Sequence, residues 1–127
     1  FKNRGMKITE YKNDPKEIKV RCYKFSVEVV KYVSSVDVSR KFQSIVDQFI
    51  RSATSIGANV VEGKSAHSKR DFIKFYEIAL KSANETKYWI CLLRDGLGLK
   101  NVDTLLLEAD EISKVLATII INTKKSK

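Results

Sequence analysis

Apolar and small residues recur at alternating spacings of four and three along most of the chain, and this periodicity constrains the fold more than any other feature. Ile18, Cys22, Phe25, Val29, Tyr32 and Val36 trace one stripe; Phe42, Val46, Phe49, Ala53, Ile56 and Val60 trace a second. Phe72, Tyr76, Ala79, Ala83, Thr86, Ile90 and Leu93 form a third, and Val102, Leu105, Ala109, Ile112, Leu116 and Ile119 a fourth. An α-helix turns once in about 3.6 residues, so each stripe lies along one helix face and calls for burial against another helix.

The segment boundaries agree. "DPKE" opens the first segment, 14–36, with Asp14 as a cap, Pro15 at the first helical position and Glu17 at the positive end of the dipole. "SSVDVS" breaks the pattern before the second segment, 40–62, in which Gly57 marks either a bend or a tight contact. "SKRD" reads as a capping box, with Ser68 as the cap and Asp71 three residues on. "DGLG" supplies glycine for the end of that third helix, and the fourth runs over 102–123. Four long helices with short connections predict an all-α, up-down-up-down four-helix bundle over 14–124, preceded by a basic tail, 1–13. The stretch at 118–122 and the Phe72–Phe75–Trp89 band imply either a wide core or faces that oligomerise.

At 127 residues with 43% hydrophobic content, the chain is sized for one domain. No stretch approaches the roughly 18 consecutive apolar residues of a membrane span. The N-terminal "FKNRGMKITEYKND" is charged and lacks the apolar core of a signal peptide. Cys22 and Cys91 show no metal or redox spacing, which fits a reducing cytoplasm.

The elements of an active site are missing from the pattern. "GKS" at 63–65 suggests a phosphate loop, but five residues separate Gly57 from Gly63 where the motif needs four, and a helix stands where it needs a strand. His67 is the only histidine, so no histidine pair can bind a metal. Neither cysteine has a neighbouring base. Glu77 and Glu85 are spaced to pair with Lys81 on the surface of the third helix. The expectation is a protein without catalytic residues, cofactor or metal.

The formal net charge of +9 points instead to a phosphate-bearing or acidic partner, or to a lysine-rich solubilising surface. Lys64, His67, Lys69, Arg70 and Lys74 cluster around the start of the third helix, where flexible cations and exposed N–H groups suit an anion. On a helical wheel Lys12, Lys16, Lys19, Lys24 and Lys31 fall opposite the first stripe and form a candidate second basic surface.

Residues 51–99 also resemble a known family. Ser55, Ile56, Asn59, Glu62 and Gly63, then Ser68, Asp71, Phe72 and Ile73, then Ala79, Leu80, Glu85, Trp89 and Leu93 match the pattern of bacterial four-helix-bundle proteins of the 23S rRNA intervening-sequence type. The resemblance implies assembly into a homopentameric ring. It also implies a distant relationship to the accessory variability determinants of diversity-generating retroelements, basic proteins that bind nucleic acid and a reverse transcriptase. Many relatives carry proline where this chain has Gly57. The same view makes Gly57, Asn59, Glu62, Gly63, Ser68 and Asp71 a structural corner. There Asn59 and Glu62 would bond to the next helix or another subunit, and Gly63 would end the second helix in the left-handed conformation. The functional expectation is a non-enzymatic homo-oligomer that binds RNA or DNA through phosphate contacts. The alternative is an adaptor ring docking a protein such as a reverse transcriptase.

Overall fold

The structure, a computed structural model, describes residues 15–126. It contains four helices, α1 (Pro15–Ser35), α2 (Gln43–Lys64), α3 (Lys69–Leu97) and α4 (Asp103–Lys125), with no strand among the described residues. A 3₁₀ turn, Arg40–Phe42, leads into α2. The expected tail, 1–13, with Lys12, and the expected cap Asp14 lie outside the described residues.

Each helix packs on two others: α1 and α3 both contact α2 and α4. The cross-helix bonds show that neighbours run antiparallel. On α2 and α3, Ser52 meets Thr86 and Ser55 meets Ser82. Lys87 of α3 pairs with Asp110 of α4, and Glu77 with Lys124. Arg21 of α1 binds Glu108, while the Tyr32 hydroxyl donates to the Lys100 carbonyl just ahead of α4. In each series one residue number falls as the other rises. The start of α1, the α2–α3 turn and the end of α4 therefore share one end of the bundle.

The core follows the stripes closely. Ile18, Cys22, Phe25 and Val29 are buried, as are Val46 through Val60 of the second stripe and all of the fourth. Burial pushes the Cys22 thiol up to about 12, so it behaves as a small hydrophobe. Phe42 departs from its expected place on the seam and is 40% exposed. It belongs to the 3₁₀ turn, whose three residues per turn carry it out of register with the 3.6-residue helix that follows.

Small residues let α2 and α3 approach closely: Ser52 and Ala53 face Ala79, Ser82 and Ala83, all buried. The buried hydroxyls find partners there. Thr86 Oγ1 lies 3.0 Å from Ser52 Oγ and 2.7 Å from the Ser82 carbonyl, and the hydroxyls of Ser55 and Ser82 are 3.0 Å apart. Without such partners each buried polar group would cost about 1–3 kcal/mol.

The two glycines of α2 differ in how closely their neighbours approach. A Cβ on Gly57 would lie 3.4 Å from Cys22 Cβ of α1, in ordinary van der Waals contact. Gly63 is not the left-handed terminator expected of it. It sits inside α2, and among the described residues only Gly98 and Asn101 have positive φ. Its reason for being small is Tyr76: a Cβ would stand 2.7 and 2.8 Å from ring atoms Cδ1 and Cε1. The helix instead ends through Ser65, whose N–H is shared between the carbonyls of Val61 and Glu62 (3.3 and 3.2 Å), while the Ala66 N–H bonds Gly63 (3.1 Å).

At the end of α3 the expected glycine does its work. Gly98 adopts φ 69°, and the Leu99 N–H reaches back to the Leu93 carbonyl (3.1 Å). Between α1 and α4, Arg21 donates from Nε and Nη2 to the two oxygens of Glu108 at 2.7 and 2.9 Å. Arg21 is buried, and this bidentate bond raises the hold of its guanidinium on the proton.

Gly63→Ala gains about 1 kcal/mol of helix propensity, but the clash with a buried ring costs about 1–3 kcal/mol, so chemical denaturation should show a net loss. Gly57→Ala meets no such obstacle and should stay neutral or gain up to about 1 kcal/mol in the same assay. Removing the partner of a buried guanidinium is costly, so Glu108→Ala should lower unfolding free energy by about 3 kcal/mol, with Glu108→Gln intermediate.

Candidate nucleic-acid interface

The α2–α3 turn builds the site. Ser68 has extended backbone (φ −137°, ψ 154°) and its Oγ accepts from the Asp71 N–H at 3.1 Å, capping α3 as expected. The reciprocal half of a capping box, from the Ser68 N–H to the Asp71 carboxylate, is not formed among the described residues. Asp71 contributes its charge in the first helical turn instead.

Lys64, His67, Lys69, Arg70 and Lys74 are all exposed around this turn. The structure separates them into two groups. Lys69, Arg70 and Lys74 line an open concavity of about 680 Å³, shared with Ile73, Glu77 and, from the other side, Lys124 of α4. Lys74 Nζ also stands 5.9 Å from the centre of the Phe75 ring. Lys64 and His67 flank the turn outside the concavity.

Lys124 was not among the sequence candidates, and two contacts fix its neighbourhood. Its Nζ pairs with Glu77 at 3.0 Å, and Lys69 donates to the backbone carbonyl of Ser126. The signal available in sequence was topological. In an up-down bundle α4 must run back toward the start of α3, bringing the lysines near its end to the corner. Glu77 therefore reaches across to α4 rather than to Lys81, and Glu85 accepts from Trp89 Nε1–H at 2.9 Å. The lysine that Glu77 takes lies on a neighbouring helix, which spacing along one helix does not reveal, whereas the indole that Glu85 takes is four residues on in α3, a spacing as favourable as that of Lys81.

The rest of the expected corner is more local than anticipated. Asn59 Nδ2 donates to the carbonyl and hydroxyl of Ser55 in its own helix, at 2.9 and 3.0 Å. It reaches α3 only through Ser55 and its contact with Ser82. Glu62 is exposed, and no side-chain bond of Glu62 occurs among the described residues.

The candidate surface on α1 does not form a continuous basic face. Lys24 and Lys31 line a groove of about 730 Å³ between α1 and α4, shared with Glu28, Glu108 and Glu111. Lys31 lies 3.7 Å from Glu28. Lys19 is half-buried and, at about 100° per residue, sits about 140° around the helix from Lys24. The side chain of Lys16 lies outside the described residues. The strongest basic concentration therefore remains the corner.

Among the described residues no group of three or more His, Cys, Asp or Glu side chains could hold a metal ion, and no helix is long and apolar enough to cross a membrane.

No curated protein matches the chain. A solved structure from Bacteroides thetaiotaomicron, described as a protein of unknown function from the S23 ribosomal protein family, is similar at 36% identity with a TM-score of 0.71. The match covers 81% of this chain and 97% of that one. Residues 16–118, which span the four helices except Pro15 and the end of α4, match the 23S rRNA-intervening sequence protein family. The chain belongs to that family.

Proposed function

We propose that this protein is a non-enzymatic, homo-oligomeric nucleic-acid-binding protein that holds RNA or DNA by phosphate contacts at the α2–α3 corner. The observation that carries this reading is the concentration of exposed cations, Lys64, Lys69, Arg70 and Lys74 with Lys124, at one end of the bundle in a chain of net charge +9. Flexible lysines neutralise backbone phosphates without selecting a base sequence. Phe72 is stacked on Tyr76 (ring centroids 4.1 Å apart) and belongs to the packing of the corner.

Repetition of the corner around a ring, pentameric by family resemblance, would multiply a modest contact into useful avidity. Large apolar side chains left outside the core are consistent with further assembly: Leu107 on α4 is 69% exposed and Tyr88 on α3 61%. The same exposure favours the second reading, an adaptor ring that docks a protein such as a reverse transcriptase. Leu107 lies on the α1–α4 groove, whose mixed charges suit a polypeptide better than a polyanion.

Titration of a labelled structured RNA, with duplex DNA as comparator, at two salt concentrations tests the proposal. Binding should weaken as salt rises. Changing Lys64, Lys69, Arg70 and Lys74 together to Gln should flatten the log–log salt dependence by about three and leave oligomer mass unchanged. Absence of binding at low salt by an intact oligomer would overturn the nucleic-acid reading and favour the adaptor.

A further inference from the structure

The corner concavity contains one carboxylate among its cations. Glu77 lies two turns along α3 from Lys69 and Arg70, and it ion-pairs with Lys124 across the gap to α4 at 3.0 Å. Both side chains are about half exposed, 52% for Glu77 and 54% for Lys124, so neither is locked by packing. An exposed pair of this kind is weakly bound and open to exchange of partner. Beside it, Lys69 bonds the Ser126 carbonyl, which keeps the end of α4 against the start of α3.

Resting on the nucleic-acid reading above, we infer that Lys124 is a phosphate-binding residue of the corner and that Glu77 is the place-holder a phosphate must displace. In the free protein Glu77 occupies Lys124. A backbone phosphate seated between Lys124 and the α3 cations would take over that lysine and leave Glu77 to water. Lys69, Arg70 and Lys74 then approach the strand from one helix and Lys124 from another, so the site clasps a phosphate from two sides. Glu77 restrains affinity twice, by engaging a cation the ligand needs and by setting a negative charge in the concavity.

The test uses the full chain and the labelled structured RNA, with salt titrations of Lys124→Gln and Glu77→Gln beside the wild type and the four-cation variant. Lys124→Gln should weaken binding about fivefold at low salt, the scale of one exposed ion pair, and flatten the salt dependence by about 0.9. Glu77→Gln should act oppositely, tightening binding by up to about fivefold. Thermal melts close to wild type would be expected, since both residues are on the surface. Wild-type affinity and salt slope in Lys124→Gln, or weakened binding in Glu77→Gln, would overturn the inference while the four-cation variant still reported on the corner. A wild type that binds no RNA at any salt would overturn the nucleic-acid reading and this inference together.

Discussion

The Tyr76 ring against Gly63 is the contact on which the rest of the corner depends. It lets the end of α2 lie directly on the first turns of α3, with no room for a Cβ between them. The turn that remains, residues 65–68, is short enough for Ser68 to cap α3 at once, and the cations on either side are thereby held together. The packing is internally consistent: Phe72 stacks on Tyr76, and the phenol is so enclosed that burial drives its ionisation far above the usual range. A residue with a side chain at position 63 would separate the helices and spread the cations.

Much of this architecture was legible in sequence because it rests on local periodicity. The four-and-three spacing identified all four helices, and Ser68 and the glycines of "DGLG" marked the start and end of α3. What escaped was set by neighbours distant in sequence or by a local change of helix type. Gly63 looked like a helix terminator because glycine at the end of an apolar stripe usually is one, yet the space it leaves belongs to a ring thirteen positions later. Phe42 continued its stripe on paper and left it in three dimensions through a change of helix type. Glu77 had a lysine at the right spacing on its own helix and chose one on another.

The candidate site shows the same division. The cations flanking the turn are adjacent in sequence and could be named from it. The contribution of α4 required knowing that the fourth helix ends beside the start of the third, and the chain itself states only that its end is lysine-rich. The α1 lysines pose the opposite case. A helical wheel placed them together, but it carries no information about the carboxylates that α4 brings to the same groove.

The hydroxyls between α2 and α3 have a mechanical meaning beyond their bonds. Two helices meeting through methyl groups alone can slide past one another in small steps, because one apolar contact replaces another. Ser52, Ser55, Ser82 and Thr86 remove that freedom: displacement by one turn would separate buried oxygens from their partners on the opposite helix. The α2–α3 hairpin is thus keyed in register. Sliding α2 along α3 would have to break these bonds first, so the turn that joins the two helices is held at a fixed place along both.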